Sequence, residues 1–138
     1  MEQIKTLTYR WPQGSTEVLL DVGSYHYGSD LFIRLYQKTR RGWAFFATLT
    51  ENPERPLKEN EAFVDSFQRD AKMAFIIKHG LGKALPEGYH LRGETYQAVA
   101  FDLDRLAEFD RDGVERFRKQ YQQNMELQKE YARKEQER

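Results

Sequence analysis

A basic cluster beside aromatic residues is the feature of this sequence that best suits binding chemistry. The segment Lys38-Thr39-Arg40-Arg41-Gly42 carries three cations, Arg34 precedes it and Trp43 follows it. Cations in such a position can contact phosphates while an aromatic ring stacks on a nucleobase. A solvated turn explains the same composition, and Trp43 shares its parity with Phe45 and Leu49, which predicts that its ring faces the core. The cluster therefore leaves a nucleic-acid contact and an ordinary turn both open.

Two other sets of residues are candidates for contact with a partner. In the last predicted helix, Arg116, Arg118 and Lys119 are basic positions that can contact phosphates. Tyrosine offers apolar area and a hydroxyl group, so it is enriched at protein interfaces, but it is also a common strand residue. The tyrosines concerned are Tyr25, Tyr27, Tyr36, Tyr89 and Tyr96. Tyr36, which lies closest to the basic cluster, joins the candidate contacts.

The segment Gly80-Leu81-Gly82-Lys83 resembles part of a phosphate-binding loop. That loop requires a glycine five residues before its Gly-Lys pair and a hydroxyl residue after the lysine. Ile77 and Ala84 occupy those two positions. The predicted helix also precedes the glycines, so its N-terminus cannot face a phosphate here. The segment is better explained as the end of a helix.

Two acidic patterns resemble cation sites but lack essential ligands. The segment from Glu108 to Gly113 places its glycine as a calcium loop does, yet the twelfth position, which should be a bidentate glutamate, is Lys119. Asp102 and Asp104 share one face of a predicted strand without an identifiable third ligand. A strand end followed by a helix cap explains this pair.

The histidines and hydroxyl residues predict no catalytic centre. His26, His79 and His90 are isolated in sequence, and none has the spacing of a helical zinc site. Ser24, His26 and Asp30 are residue types found in hydrolases, but no nucleophile elbow accompanies them. The chain has no cysteine, which excludes thiol catalysis and cysteine-ligated metals. We expect no enzymatic activity, no resident metal and no cofactor.

Three alternating patterns predict the strands that position the basic cluster. They cover residues 18–22, 31–36 and 43–50, where apolar residues recur at every second position. The polar segment between the last two patterns ends in Gly42, which favours an antiparallel hairpin. The basic cluster would therefore lie at a hairpin tip.

A helix and its flanking strand are predicted next. Residues 61–65 read as a short edge strand, and Asp65 or Ser66 would cap a helix that extends to His79. Its buried stripe would include Phe67, Ala71, Ala74 and Phe75, widened by Ile76 and Ile77. Gly80 would end this helix in a left-handed conformation.

The remaining segments complete an α+β pattern. Gly82, Pro86 and Gly88 predict a loop, residues 95–103 predict a strand, and Asp104 would cap a short turn after it. Asp112 would cap a long helix with an apolar stripe through Val114, Phe117 and Tyr121. We predict a mostly antiparallel sheet of four to six strands packed on one helix. The predicted domains are a compact unit at residues 1–110 and a charged helix at 111–138.

Composition narrows the range of partners and compartments. Twenty-two basic and 22 acidic residues give a net charge of zero, which argues against a dedicated duplex-DNA binder. No apolar segment approaches the roughly 18 residues needed to span a membrane. The first residues lack the apolar core of a signal peptide. These observations predict a cytoplasmic protein that does not enter membranes.

Short motifs in the middle of the chain resemble a known family. In order, they are Tyr27-Gly28, Leu31-Phe32-Ile33-Arg34-Leu35, Ala47-Thr48-Leu49-Thr50, Glu59-Asn60-Glu61-Ala62-Phe63-Val64-Asp65, His79-Gly80-Leu81-Gly82-Lys83 and Val99-Ala100-Phe101-Asp102-Leu103. This series resembles the short bacterial proteins grouped as domain of unknown function 4313. The resemblance covers roughly residues 25–106 and leaves the first strand region and the charged helix outside the pattern. It implies a protein carried by plasmids and integrative elements, and it supplies no catalytic residue.

Two functions are compatible with these observations. The first is a non-enzymatic accessory protein of a bacterial mobile element that binds another macromolecule, with a protein as the expected partner and inhibition of a host defence nuclease as one form. The alternative is a nucleic-acid-binding protein that uses the basic hairpin tip.

Overall fold

The first half of the chain forms a sheet of four antiparallel strands in sequence order. The computed structural model describes residues 5–25, 31–53 and 58–136. The strands of this first sheet are β1 (Leu7–Trp11), β2 (Gly14–Ser24), β3 (Leu31–Thr39) and β4 (Gly42–Thr48). The alternation predicted for β2 and β3 is confirmed, because one face of each strand is buried and the other is partly exposed.

A second sheet and three helices follow. The second sheet has the order β5-β6-β8-β7, formed by β5 (Thr50–Glu51), β6 (Glu61–Val64), β7 (Gly82–Leu91) and β8 (Glu94–Phe101). The helices of the described chain are α1 (Arg69–Lys78), α2 (Leu103–Ala107) and α3 (Arg111–Gln136). The predicted α+β class is confirmed, with the strands divided between two sheets. Within the described ranges, no helix has the length and hydropathy needed to cross a membrane.

One core joins the two sheets and the helices. Val18, Leu20 and Val22 of β2 lie in the same buried cluster as Phe75 of α1 and Phe117 of α3. The helices therefore pack on the side of the first sheet that carries the buried residues. We call this side the inner face and the opposite side the outer face.

Leu49 connects the two sheets through its own backbone. Its amide donates to the carbonyl of Ile33 in β3 over 2.8 Å, and its carbonyl accepts from the amide of Asp65, after β6, over 3.0 Å. The side chain of Thr50 accepts a buried hydrogen bond from the amide of Ile33 over 3.1 Å. The chain therefore passes from one sheet to the other while its polar backbone groups remain paired.

Two strands of the second sheet differ from the sequence prediction. Residues Gly82–Leu91 form β7 rather than a loop, with a shift in register between Ala84 and Gly88. Pro86 lies within this irregular part of an edge strand, where a missing backbone donor is tolerated. β6 was predicted at an edge, but it lies between β5 and β8. In addition, β1 precedes the first strand that the alternation predicted.

Helix α1 begins later than predicted and buries different side chains. Gln68 is its N-cap, in a left-handed conformation (φ 54°) and without a side-chain cap, so the predicted caps were wrong. Asp65 instead accepts from the amide of Phe67 over 2.8 Å, before the helix starts. Phe67 and Ile77 were expected to be buried but are 70% and 60% exposed. The predicted end of the helix is confirmed, since Gly80 has a φ of 65°.

A buried ion pair attaches α1 to the joint between the sheets. Lys72 is only 2% exposed, and its Nζ lies 3.1 Å from Oδ1 of Asp65. The other carboxylate oxygen of Asp65 accepts from the hydroxyl of Thr48, at the end of β4, over 2.9 Å. Asp65 therefore holds α1, β4 and the end of β6 together.

The start of α3 protects an open edge of β2. β1 pairs with β2 only as far as Val18, so the amide of Val22 has no neighbouring strand on that side. Asp110 accepts from this amide over 2.8 Å and from the amide of Gly113 over 3.0 Å. Asp110, rather than the predicted Asp112, therefore caps the helix. A Cβ at Gly113 would lie 2.5 Å from the carbonyl oxygen of Val22, so this close approach requires glycine.

The short helix α2 is also capped by a different residue from the one predicted. The carboxylate of Asp102 accepts from the amide of Arg105 over 3.1 Å. Asp104 lies inside the helix and pairs with Arg118 of α3 over 3.1 Å. The interpretation of this acidic pair as a strand end followed by a helix cap is confirmed, but the cap is Asp102 and not the predicted Asp104.

The Asp65–Lys72 pair gives a first prediction. Asp65→Ala leaves a buried ammonium group without its counter-ion, and we expect the free energy of unfolding to fall by about 3 kcal/mol or more in urea titrations. The double variant Asp65→Ala/Lys72→Met, in which no buried charge remains unpaired, is expected to recover part of that loss. A double variant less stable than Asp65→Ala alone would contradict this account.

Tyr9 gives a second prediction, because its ring is buried and its hydroxyl has no hydrogen-bond partner among the described residues. Burial, followed by the charge of Asp65, raises the pKa of this phenol above its ordinary value. The unfolded chain then loses this proton near pH ~10 while the folded chain retains it, so stability declines as the pH rises through about 10. Tyr9→Phe removes that decline.

We expect Tyr9→Phe to match or exceed the parent in urea midpoint at neutral pH and to exceed it more at about pH 10.5. Tyr131→Phe is the matched control, since Tyr131 is 70% exposed on α3. An equally steep alkaline decline in parent and Tyr9→Phe would show that another group is responsible.

Candidate functional site

The outer face of the first sheet has a surface suited to binding. Its side chains come from alternate positions of the three strands β2, β3 and β4. They include Leu19, Asp21, Phe32, Arg34, Tyr36, Lys38, Trp43 and Phe45. Within the described chain, the buried cluster that holds the helices lies on the other side of the sheet. The outer face therefore remains open to a partner.

A β-bulge determines which aromatic rings of β4 reach the outer face. Leu35 pairs with Ala47 but Tyr36 pairs with Phe45, so Phe46 is an extra residue in β4. Phe46 packs against Tyr9 of the core, with ring centroids 5.3 Å apart. Trp43 and Phe45 point outward, 37% and 56% exposed, so the prediction that Trp43 faces the core was wrong.

Arg34 is held at the centre of the outer face. Its Nη2 lies 2.6 Å from Oδ2 of Asp21 on the neighbouring strand. The guanidinium carbon lies 5.2 Å from the ring centroid of Phe32 and 5.8 Å from that of Tyr36. Within the described chain, its buried Nε has no hydrogen-bond partner. The guanidinium of Arg34 is therefore held between the rings of Phe32 and Tyr36, and Asp21 neutralises its charge.

The aromatic rings continue from this centre toward the hairpin tip. The rings of Tyr36 and Phe45 meet edge to face with centroids 6.1 Å apart. Trp43 lies opposite Lys38 in the β3–β4 register. At the other end, the ring of Tyr25 packs against that of Phe32 at a tilt, with centroids 4.6 Å apart. Exposed apolar area of this kind on a sheet is typical of a contact surface.

The hairpin tip presents its cations on a defined turn. The hydroxyl of Thr39 donates to the carbonyl of Gly42 over 2.8 Å and accepts from the amide of Arg41 over 3.2 Å. Gly42 has a φ of 108°, which favours glycine. Arg40 and Arg41 are exposed, and among the described residues neither they nor Lys38 form an ion pair. The tip is therefore a basic site beside the exposed ring of Trp43.

The basic residues of α3 do not join this surface. Arg118 is paired with Asp104, whereas Arg116 and Lys119 are exposed to solvent. Helix α3 packs mainly on β2 and α2, and its buried side chains enter the core from the inner face. The structure thus separates the two groups of cations that the nucleic-acid hypothesis combined.

The histidines that the structure describes have structural contacts. Nε2 of His79 lies 2.8 Å from the carbonyl oxygen of Thr8, and Nδ1 of His90 lies 3.0 Å from the hydroxyl of Thr95. No group of three or more acidic or histidine side chains that could hold a metal ion occurs within residues 5–25, 31–53 and 58–136. His26, Tyr27, Gly28 and Asp30 lie outside the described residues.

A second aromatic group lies on the second sheet. Tyr89 and Tyr96 lie side by side on β7 and β8, with ring centroids 6.0 Å apart, and both contact Phe63 of β6. Phe63 is buried, so this group belongs in part to the packing of the sheet. Of the tyrosines singled out in the sequence, Tyr36 and Tyr25 belong to the outer face.

Sequence reasoning missed the roles of Asp21, Phe32 and Phe45 in this surface. A usable signal existed for Phe32, because the buried alternation of Leu31, Ile33 and Leu35 assigns the intervening residues of β3 to the opposite face. No comparable signal existed for Phe45, since the bulge reverses the parity of β4 at Phe46.

Comparison with known protein families gives a match over most of the chain. A family model described as domain of unknown function (DUF4313) matches residues 19–121. No curated protein and no solved structure matches the chain significantly. The match is wider than the resemblance in the sequence motifs, because it includes most of β2 and the first part of α3. The expectation that the last helix lies entirely outside the family pattern was therefore wrong.

Proposed function

The chain belongs to the family of domain of unknown function 4313, and we propose that it is a non-enzymatic protein that binds another protein through the outer face of the first sheet. The observation that carries this proposal is the open aromatic surface formed by Tyr36, Trp43 and Phe45 around Arg34. These are the residue types that contribute most of the energy at protein interfaces.

The rigidity of this surface supports the proposal. Arg34 is fixed by Asp21 and by two rings, so little side-chain entropy remains to be lost when a partner binds. Phe45 is exposed on the outer face of β4, the last strand of the first sheet. A partner that covers Phe45 and Trp43 removes apolar area from water, which is the main favourable contribution to association.

The biological setting that we propose is a bacterial mobile element, with action in the cytoplasm. Its support is the resemblance of the motifs between residues 25 and 106 to proteins carried by plasmids and integrative elements. In this setting we propose that the protein acts by contact with a host protein, with inhibition of a host defence nuclease as one form of that action. The balanced net charge is compatible with recognition of a protein surface rather than of duplex DNA.

The proposal predicts that loss of the aromatic face abolishes partner capture. Immobilised parent protein is expected to recover a specific protein from bacterial lysate, and Tyr36→Ser/Phe45→Ser is expected to recover at least 10-fold less, as for residues that dominate an interface. Ile77→Ser and Leu127→Ser are matched controls, since these side chains on α1 and α3 are 60% and 52% exposed. Equal recovery by the double variant would exclude the outer face as the contact.

Single-stranded nucleic acid is a second candidate, favoured by the position of the tip cations. Lys38, Arg40 and Arg41 have no ion-pair partners among the described residues, and they lie beside the exposed ring of Trp43. A basic site next to aromatic rings can bind the backbone of a single strand while bases stack on the rings. Arg34 and the neighbouring rings of Phe32 and Tyr36 contribute shape to such a site, but Arg34 adds little net charge, because Asp21 neutralises it.

This candidate predicts binding that depends on salt and on the tip. In fluorescence polarisation at low salt, a labelled single strand is expected to bind more tightly than a duplex, and Arg40→Glu/Arg41→Glu is expected to weaken binding at least 10-fold. Three phosphate contacts would give a slope of about −2 in log affinity against log salt. Arg116→Glu/Lys119→Glu is the charge-matched control on α3. Absence of binding at tens of micromolar protein would end this candidate.

A further inference from the structure

The free edge of β4 carries no charged residue and no proline, and its bulge at Phe46 leaves the segment from Gly42 to Phe45 regular. In the described sheet, β4 pairs with β3 on one side and no strand pairs with it on the other. Its seven residues, Gly42–Thr48, include three aromatic residues and no charged residue or proline. Edge strands are usually protected by lysine, proline or a covering element, because unpaired backbone groups otherwise recruit another strand. We propose that two copies of the chain pair through β4 in antiparallel register around Ala44. This inference goes beyond the proposed function and does not depend on it.

The pattern of β4 is self-complementary in that register. Directly opposed residues of an antiparallel pair lie on the same face, so a two-fold axis at Ala44 places Trp43 of one copy opposite Phe45 of the other, twice. Both rings are exposed on the outer face, and aromatic pairs across strands are among the stabilising ones. On the inner face, Ala44 meets its own copy and needs little space. A shift by one residue would oppose side chains of different faces, so the pattern excludes the neighbouring registers of odd shift.

Like charges remain apart in this arrangement. Arg41 lies three residues from the axis, which corresponds to about 10 Å along each strand, so the two tips are roughly 20 Å apart. That distance exceeds the Debye length of about 8–10 Å at physiological salt. Pairing in this way extends the first sheet to eight strands, from two sets of four, and joins the two outer faces into one continuous surface.

Disulfide trapping tests the register directly, because the chain has no cysteine of its own. In the Ala44→Cys variant, the two thiols face each other across the axis, and under mild oxidation we expect a covalent dimer at least 10 times faster than from Ser15→Cys. Ser15 is an exposed residue near the start of β2, away from the proposed axis. Equal rates for the two variants would overturn the register.

Sedimentation equilibrium of the parent protein tests the association itself. We expect the weight-average mass to rise toward twice the monomer mass with increasing concentration. We expect Phe45→Lys to remain monomeric, because it removes the contacts between Phe45 and Trp43 and places on the edge strand a lysine, which opposes pairing with another strand. Far-UV circular dichroism checks that this variant folds, which its 56% exposure in the monomer favours. A parent that is monomeric at all concentrations overturns the proposal, as does a Phe45→Lys variant that still dimerises.

Tyr36→Ser separates this inference from the proposed function. Tyr36 lies on β3, away from the free edge, so this variant is expected to dimerise like the parent while losing the protein partner. A protein that dimerises through β4 but captures no partner would leave the dimer standing and remove the proposed function. If β4 pairs only with a strand of a different protein, the parent alone stays monomeric and self-pairing is wrong.

Discussion

The extra residue in β4 constrains the whole functional surface. Phe46 is an extra residue opposite the step from Leu35 to Tyr36. The alternation of side chains between the two faces of β4 therefore changes phase at Phe46. Phe46 enters the aromatic core beside Tyr9 and Trp11, and Leu49 beyond it makes the joint between the sheets. Trp43 and Phe45 are left on the outer face. In a regular strand, Leu49 would share the face of Trp43 and Phe45. Either Leu49 would then be exposed or both rings would be turned toward the core.

The electrostatics of the outer face follow from how Arg34 is held. Its ion pair with Asp21 joins neighbouring strands, and the rings of Phe32 and Tyr36 shield the guanidinium along its own strand. A cation with a counter-ion 2.6 Å away adds little net charge to the surface. The positive potential is therefore concentrated at the hairpin tip, while the centre of the face is largely apolar. This distribution of charge suits a partner that is bound mainly through shape and apolar contact. The positive charge of the tip would then orient that partner.

Local patterns predicted those parts of the fold that depend on local chemistry. The strands β2 and β3 and the end of α1 at Gly80 follow from alternation and from glycine conformation. Pairing across long distances decided the rest. Asp110 is the cap of α3 because the amide of Val22, 88 residues earlier, needs an acceptor, whereas Asp112 fits the sequence motif equally well. β7 tolerates Pro86 only because it is an irregular edge strand, which is a property of the sheet and not of the segment.

The same distinction explains how much of the candidate site was accessible from sequence. The tip residues Lys38, Arg40 and Arg41 are recognisable because a polar run between two alternating patterns predicts a hairpin. The bulge is not recognisable, since a single inserted residue leaves the period of two intact on either side and changes only the phase.

The family match ends where helix α3 leaves the core. It runs from Leu19 in β2 to Tyr121, which is the last residue of α3 packed against the core. The outer face, the hairpin tip and the joint at Leu49 all lie inside it, whereas the exposed apolar residues Leu127 and Tyr131 lie beyond it. A property common to the family must reside in the matched part, so the outer face and the edge of β4 are the surfaces at which to seek it.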